Sequence, residues 1–482
     1  MSSLESTTKL RGIDNSPIYL PPERRLTLFA LTCLIFFTTS GGAFGLEPLV
    51  GTVGPGWAVA LILLAPLIWS LPIALMVAEL ASLMPEEGGY YIWVREALGP
   101  FWGVQEAWWT MSYAVVLLAS FVVQFVNYLA FFIPVLASPA GVFAWGGAVR
   151  WLVAALVIAS AMVVNLRGAR DVGRSAKGSA TFILGAFVLL VLAWLKRGPA
   201  LGTVVGVVAR DLSSSHKGAL LLGLSYIVFN YSGWDNASSY AGEVDQAQRN
   251  YPRAIGWALL VVVLSYLLPV VAGLSVTTDP SIWSADAGWP VIARLIGGRW
   301  LGSLIAAAAL VSMWTLFNAQ LLYVSRLPFV MAYDGWLPKI IAEVTPGTAV
   351  PKIAILCFCA ITAIFAALSL GSLVVIICLL NTGALLLEFL SIVVIRVRRP
   401  NDHRSFRVPG GWWGMSLLCL TWLAAAAVVL LATLRDWHSY LGQLFVVGFI
   451  VLSGMVLYFI RRRIAVRIRL EKIGRTGPPS LP

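Results

Sequence analysis

Two apolar stretches of this chain are each interrupted by a short run of glycine and polar residues. The first break spans residues 38–47 and contains Ser40, Gly41, Gly42, Gly45 and Glu47. The second break spans residues 229–236 and contains Asn230, Tyr231, Trp234 and Asp235. Backbone that unwinds inside a bilayer is tolerated only where it is buried in protein or lines a cavity. Since paired breaks in two halves of a chain mark a transporter's binding site, we predict that these residues bind a substrate.

The residue types at the two breaks suit charged ligands. Glycine allows the backbone to unwind and a ligand to approach closely. Broken helix ends expose amide N–H groups, which attract an anion such as an α-carboxylate, and carbonyl groups, which attract a cation. The rings of Tyr231 and Trp234 beside Asp235 suit a protonated amine, through cation–π attraction and charge pairing. Close helix packing is the alternative role of glycines in membrane helices.

Several carboxylates lie within the apolar stretches or at their ends. A charge deep in a bilayer costs roughly 2.5 kcal/mol or more, so each needs a partner, a proton or a water-filled cavity. We predict a substrate or proton role for Glu47, Asp235 and Glu388, which lie at the breaks or deep in a span. Glu79 and Glu243 lie near cytoplasmic ends of spans, where we predict structural pairs with loop arginines.

Membrane-spanning helices must position these residues. Of the 482 residues, 59% are hydrophobic and only 12% are charged, and the mean hydropathy is +0.85. This composition predicts an all-α polytopic membrane protein. We predict about twelve spans, at residues 27–50, 56–83, 99–133, 149–166, 178–196, 218–243, 254–277, 300–325, 352–369, 371–395, 413–434 and 440–460.

Basic charge is distributed unevenly between these spans. The formal net charge is +12, and lysine and arginine cluster at residues 167–177, 396–407 and 461–475. If the N-terminus is cytoplasmic, these clusters lie on the inner side, as the positive-inside rule requires. We therefore predict a multi-pass protein of the plasma (inner) membrane with both termini cytoplasmic. The charge indicates orientation, and nucleic-acid binding is not expected.

The spacing of the breaks predicts an internal repeat. The breaks lie about 190 residues apart, which is the length of five predicted spans. Because five is an odd number, the second half begins on the opposite side of the membrane and the repeat is inverted. We predict three units: a disordered cytoplasmic N-terminus (1–25), one transmembrane domain (26–462) and a cytoplasmic basic tail (463–482). The transmembrane domain consists of repeat one (about 27–197), repeat two (about 217–396) and peripheral spans (about 413–460).

The segment between the second and third spans, residues 85–99, contains apolar residues at helical spacing beside charged ones. This pattern predicts a short interfacial helix. We expect Tyr90, Tyr91 and Trp93 to lie at the level of the lipid headgroups.

Motifs along most of the chain resemble the amino acid–polyamine–organocation superfamily of transporters. The resemblance is closest to its branch of polyamine uptake and L-type amino acid transporter-like proteins. The similar segments are Gly41–Glu47, Trp69–Pro72, Ala78-Glu79, Glu86–Tyr90, Ala97–Gly103, Trp234-Asp235, Ala241–Val244, Ser325-Arg326, Ala332–Pro338 and Leu387–Phe389. The resemblance implies the five-plus-five inverted repeat of the leucine-transporter-like fold, plus two peripheral helices, and alternating access. It places the substrate between spans one, three, six, eight and ten.

Two positions differ from the pattern of this superfamily, and both concern ion coupling. Many amino-acid transporters of the superfamily have a lysine inside span five in place of a sodium ion, whereas this chain has Ile183 there and Lys177 nearer the cytoplasmic end. Glu106 stands where the polyamine branch has an uncharged residue. A proton-coupling role, a structural bond or an adaptation to a different substrate would explain it. Ser312, Thr315 and Asn318 in span eight are candidate sodium ligands, and the alternative for the hydroxyls is a bond to the helix backbone. Our candidates for proton or ion coupling are Glu106, Lys177, Ser312 and Thr315.

These observations predict a secondary active transporter that imports polyamines or cationic amino acids, by proton symport and alternating access. A neutral amino-acid permease of the same fold and a non-transporting nutrient sensor are the alternatives. An enzyme is not expected, because no nucleophile elbow, metal cluster or phosphate-binding loop is present. We expect no cofactor and no metal site, with protons as the coupling ion and sodium as the alternative. The expected partners are a small cationic substrate and the lipid bilayer.

Overall fold

The structure, a computed structural model, describes most of the chain. The described residues are 10–11, 17–18, 25–86, 88–137, 145–198, 201–212, 217–239, 243–283, 288–346, 348–366, 374–435, 438 and 441–476. Most of the predicted N-terminal segment 1–25, and residues 477–482 of the predicted tail, lie outside them. Two strands of two residues each, β1 (Leu10–Arg11) and β2 (Pro17–Ile18), pair antiparallel.

The remaining described elements are helices. The first half contains α1 (Leu28–Thr39), α2 (Glu47–Val53), α3 (Pro55–Ala65), α4 (Leu71–Leu83), α5 (Gly89–Leu98), α6 (Pro100–Leu129), α7 (Trp145–Arg167), α8 (Ala169–Lys196) and α9 (Leu201–Leu212). The rest of the chain contains α10 (Lys217–Asn230), α11 (Ala247–Leu274), α12 (Pro280–Trp283), α13 (Gly288–Gly297), α14 (Arg299–Val324), α15 (Arg326–Tyr333), α16 (Lys352–Phe365), α17 (Val374–Arg398), α18 (Gly411–Arg435) and α19 (Leu441–Thr476). A π-helical turn joins α3 to α4 over Pro66–Ser70, and 3-10 turns lie at Pro134–Ala137, Asn236–Ser239 and Lys339–Ala342.

Many of these helices have the length and composition of membrane spans. Within the described residues, nine helical segments are long and apolar enough to cross a bilayer, counting α3–α4 and α14–α15 each as one. Two shorter apolar helices, α1 and α16, accompany them. The prediction of an all-α polytopic membrane protein is therefore confirmed.

Both predicted breaks are present as unwound backbone. Helix α1 ends at Thr39 and α2 begins at Glu47, while α10 ends at Asn230 and the next turn begins at Asn236. Gly233 has a φ of +97°, and a Cβ there would overlap the carbonyl oxygen of Thr38. The two breaks therefore lie against each other, and glycine is required where their backbones meet.

One side of the bundle, which we call the N-terminal face, is defined by the start of α1. There the Leu26 N–H donates to the Glu243 carbonyl at 2.9 Å, and the Asp245 N–H donates to the Leu26 carbonyl at 3.0 Å. Glu79, near the end of α4, pairs with Arg396 near the end of α17 on the same face. The Gly88 N–H, shortly after α4, donates to the Ser239 carbonyl at 2.7 Å, which links the end of α4 to the segment that holds Glu243.

Helices α1, α6, α8, α14 and α17 pack around the two breaks and form the centre of the bundle. Helix α19 lies outside them against α6 and α17, with a largely exposed apolar surface. Helices α5 and α6 are joined by one glycine, Gly99, with φ 94° and ψ 169°. Helices α13 and α14 are joined in nearly the same way by Gly298, with φ 83° and ψ −170°.

The prediction for residues 85–99 is correct about the helix and wrong about its aromatic residues. Tyr90, Tyr91 and Trp93 are fully buried rather than at headgroup level. The reason is that α5 packs between α6 and α17, inside the bundle. The Trp93 indole N–H donates to the Met84 carbonyl at 3.2 Å, and the Tyr91 hydroxyl donates to Asp334 at 2.5 Å.

Candidate functional site

A cavity of about 80 Å³ lies where the two breaks meet α6, α14 and α17. Because one water needs roughly 10–15 Å³ on this measure, the cavity has room for several water-sized groups. It extends along α6 from Tyr113 to Gln124, away from the N-terminal face. Its polar lining comprises Thr38, Thr39, Ser40, Tyr113, Gln124, Asn230, Ser232, Asn236, Gln320, Asn381 and Thr382.

Two helices end at this cavity with their carboxyl termini. Residues 38–40 of α1 and residues 228–230 of α10 belong to its lining. A helix carboxyl terminus carries a partial negative charge from its unsatisfied carbonyls, so the two ends together favour a cation.

Unpartnered oxygens add to this preference. Thr39 Oγ1, Asn236 Oδ1 and Gln320 Oε1 are buried without a hydrogen-bond partner in the described part of the chain. All three residues line the cavity. Buried polar atoms are nearly always paired, so these oxygens suit a ligand that donates hydrogen bonds.

The glycines predicted to bind substrate divide into two groups. Gly45 lines the cavity, as do the predicted residues Ser40 and Asn230. Gly41 instead faces α14, where its carbonyl accepts a hydrogen bond from the Ser312 hydroxyl at 2.5 Å. Gly42 faces α8, because a Cβ on it would lie 3.2 Å from the Ile183 side chain. Gly41 and Gly42 therefore allow close packing of the first break.

Glu47 lies at the amino end of α2, outside the cavity lining. One of its carboxylate oxygens accepts from the Gly45 N–H at 2.8 Å. The other accepts from the Tyr128 hydroxyl at 3.0 Å and from the Trp289 N–H at 3.4 Å. The chain's own carboxylate thus takes up the Gly45 amide, a backbone donor of the first break that would otherwise be available to an α-carboxylate of a substrate.

Tyr231 and Trp234 are fully buried and outside the cavity lining. The Tyr231 hydroxyl donates to the Ile62 carbonyl at 3.1 Å. The Trp234 indole N–H donates to the Tyr231 carbonyl at 2.8 Å. Both side chains therefore lie on the side of the second break away from the cavity, and their hydrogen bonds fix the backbone that lines it.

Three carboxylates are brought together beyond the cavity, on its N-terminal side. Glu106, Asp235 and Glu388 are all buried, and they interact electrostatically with one another. The Thr110 hydroxyl donates to Glu106 Oε1 at 3.0 Å. Glu106 Oε2, Asp235 Oδ1 and both Glu388 oxygens have no partner in the described ranges. Asp235 and Glu388 were predicted as substrate ligands and Glu106 as a coupling residue, and the fold makes them one group.

The other coupling candidates lie elsewhere. Lys177 is half-buried on α8 and interacts electrostatically with Cys33 of α1. The Thr315 hydroxyl donates to the Val311 carbonyl of its own helix at 2.7 Å. Together with the Ser312 bond described above, both span-eight hydroxyls donate to backbone.

Glu79 and Glu243 form the structural ion pairs that were predicted for them. Glu243 accepts from the Arg326 guanidinium at 2.7 Å. Glu79 pairs with Arg396 and, at 2.7 Å, with Arg404. Arg404 lies in a loop, whereas Arg326 and Arg396 lie in helices, so the predicted loop location is correct for one partner of three.

The sequence analysis did not identify five polar residues of the cavity. They are Tyr113, Gln124, Gln320, Asn381 and Thr382. Two features of the sequence could have identified them. They are polar residues within apolar spans, and Asn381 lies seven residues before Glu388, on the same helix face.

The fold and the site agree with comparisons to known proteins. A family model described as amino acid permease matches residues 26–460. The chain belongs to this family, within the amino acid–polyamine–organocation superfamily, which confirms the resemblance seen in its motifs. It is therefore a membrane transporter and not an enzyme.

Within this family the chain is similar to plant proteins named as polyamine transporters. It is 35% identical to a probable polyamine transporter of Arabidopsis thaliana, over 91% of this chain and 87% of the relative. It is 34% identical to a polyamine transporter of Oryza sativa subsp. japonica, over 99% of this chain and 88% of the relative. An uncharacterized transporter of Mycobacterium tuberculosis is 28% identical, over 73% of this chain and 76% of the relative.

Proposed function

We propose that this permease is a secondary active transporter that imports polyamines or cationic amino acids by proton symport through alternating access. The observation that carries the proposal is the charge of the site. Two helix carboxyl ends meet the cavity, and three buried carboxylates without a basic partner in the described residues lie next to it. The names of the plant relatives support an amine as the substrate.

The position of Glu47 supports amines over neutral amino acids. A neutral amino acid needs donors for its α-carboxylate, and the amide donor of Gly45 is already bonded to Glu47. A neutral amino-acid permease is the second candidate, and the description of the family model favours it.

Protons are the proposed coupling ions, with no bound cofactor. Carboxylates that are buried without counter-ions require protons or a cationic substrate for neutrality. Ser312 and Thr315 donate their hydroxyl protons to backbone carbonyls, which leaves their oxygen lone pairs available to sodium, the alternative coupling ion.

We further propose twelve spans arranged as two inverted repeats, with both termini cytoplasmic and the cavity reaching toward the outer side of the plasma membrane. The matching joints at Gly99 and Gly298 support the repeat. Each glycine follows a short helix and precedes the third span of its half. The arginine-rich segments 167–174 and 396–407 support a cytoplasmic N-terminal face.

Uptake into proteoliposomes tests the proposal. Labelled putrescine, spermidine, arginine and leucine are compared with and without an inward proton gradient, for wild type and Asp235→Asn. We expect gradient-driven uptake of at least one cationic substrate, lost in the variant. Asp171→Asn, which alters a surface aspartate paired with Arg174, is the matched control and keeps the activity. Leucine uptake without flux of any cation would overturn the proposal, and cation uptake that ignores the gradient would remove its proton-coupling part.

A further inference from the structure

Two helices that line the cavity each place a glutamate two turns further toward the N-terminal face. On α6, Glu106 precedes the lining residue Tyr113 by seven residues. On α17, which runs in the opposite direction, Glu388 follows the lining residue Asn381 by seven residues. Seven residues make two helical turns, so each pair shares one helix face and is separated by about 10.5 Å along the axis. Both glutamates therefore lie on the cavity-facing side, at a similar depth beyond it.

These two glutamates and Asp235 form a group that differs from the other buried carboxylates. Glu106 and Glu388 are 0% exposed and Asp235 is 3% exposed. No lysine or arginine of the described residues forms an ion pair with them. Glu79 and Glu243, which are equally buried, each have an arginine partner. The chain thus neutralises its structural carboxylates and leaves this group, which we call the inner carboxylates, for another cation.

The surroundings of the inner carboxylates suit a donor-rich ligand. Four of their six oxygens lack a hydrogen-bond partner in the described part of the chain. The hydroxyl of Tyr90, which interacts electrostatically with Asp235, is also unpartnered there. A primary ammonium has three N–H donors. Its donors match the three carboxylates in number, and protons would neutralise the charge that remains.

We propose that the inner carboxylates are a second ammonium site, and that the transporter thereby selects long linear diamines and triamines. This inference rests on the proposed function. One terminal nitrogen would lie in the cavity between the helix carboxyl ends, and the other among Glu106, Asp235 and Glu388. With one nitrogen level with Tyr113 and Asn381 and the other level with Glu106 and Glu388, the two nitrogens are about 10.5 Å apart along the axis. An extended chain spans roughly 1.2 Å per bond, so this separation corresponds to about nine bonds. The two nitrogens of lysine are separated by six bonds and do not reach both sites.

A series of diamines tests the length requirement. Unlabelled α,ω-diamines with three to ten carbons compete with labelled spermidine for uptake into proteoliposomes. We expect the eight-carbon diamine to inhibit at a concentration about tenfold lower than the three-carbon diamine. A flat dependence on length in wild type would overturn the inference. The absence of any amine uptake would overturn the proposed function instead, so the two failures are distinguishable.

Variants locate the length dependence. Glu388→Gln and Glu106→Gln should each raise the inhibitory concentration of the eight-carbon diamine about tenfold, and leave that of the three-carbon diamine within about twofold. Glu96→Gln, a partly exposed glutamate on α5, is the control and keeps the preference. Equal losses for all lengths would show a proton-carrying role and overturn the ammonium site. Retention of the preference in both variants would also overturn it. If neither variant folds, the wild-type series still decides.

Discussion

Replacing Glu79 with glutamine tests how strongly the ion pairs at the N-terminal face stabilise the bundle. The Glu79 carboxylate is 1% exposed and pairs with Arg396 and Arg404, whose side chains are 0% and 3% exposed. It accepts from Arg396 Nε at 2.8 Å, from Arg404 Nη1 at 2.7 Å and from the Val408 N–H at 2.7 Å. The variant leaves two buried guanidinium groups without a counter-charge. Removing one partner of a buried pair costs about 3–5 kcal/mol, so we expect a loss of that size.

The expected loss can be measured as kinetic stability in detergent. Large membrane proteins often unfold irreversibly, so a half-life at fixed temperature is more meaningful than a melting temperature. If half of the loss lowers the unfolding barrier, the half-life of the monodisperse peak in size-exclusion chromatography falls about tenfold or more.

Glu96→Gln is the matched control for this prediction. Glu96 is 36% exposed and pairs with Arg95 at 3.3 Å and Arg399 at 3.2 Å. Exposed pairs contribute about 0–1 kcal/mol, so the half-life should change little. Equal half-lives for the two variants would refute the assignment of the Glu79 pairs as a main stabilising contact of this face.

Two further substitutions test the contacts of the breaks. Gly233→Ala should abolish uptake and lower the free energy of unfolding by more than about 2 kcal/mol. A positive φ costs a residue with a Cβ about 1–2 kcal/mol, and this Cβ also overlaps the Thr38 carbonyl. Gly335→Ala, at a φ of +84° in open space, should retain uptake, and equal behaviour of the two variants would contradict the close approach. Trp289→Phe removes the indole N–H that donates to the Ala43 carbonyl at 2.7 Å, and should cost about 1–3 kcal/mol. Unchanged melting of that variant would show that the Ala43 carbonyl finds another donor.

The breaks were predictable because their chemistry is local. Unwound backbone inside an apolar span needs glycine, and Gly41, Gly42, Gly45 and Gly233 all adopt positive φ. The spans were predictable from hydropathy for a related reason. Because backbone groups in a bilayer must be hydrogen-bonded internally, a long apolar segment there forms a helix. The arginine partners of Glu79 and Glu243 followed from the cost of a buried charge, although the sequence did not specify which arginines they are.

The aromatic residues of α5 and the role of Glu47 depended on longer-range contacts. Tyrosine is a residue type common at membrane interfaces, but Tyr90 is buried because α5 packs against α6 and α17. Helix α17 is distant in sequence, and the sequence does not show how α6 packs on α5. Glu47 lies at a break, like a substrate ligand, and yet it bonds Tyr128 and Trp289. A carboxylate's partners depend on which helices surround it, and local sequence does not contain that information.

The sequence by itself determined the membrane class, the breaks and the kinds of residue at the site, because hydropathy and glycine conformation are properties of short segments. Only the tertiary structure decided which polar residues share the cavity, since Tyr113, Gln320 and Asn381 come from three different helices. It also decided that the carboxylates of Glu106, Asp235 and Glu388 lie close enough to interact electrostatically. Their separations in the chain exceed one hundred residues, and only the packing of α6, α17 and the second break makes them neighbours.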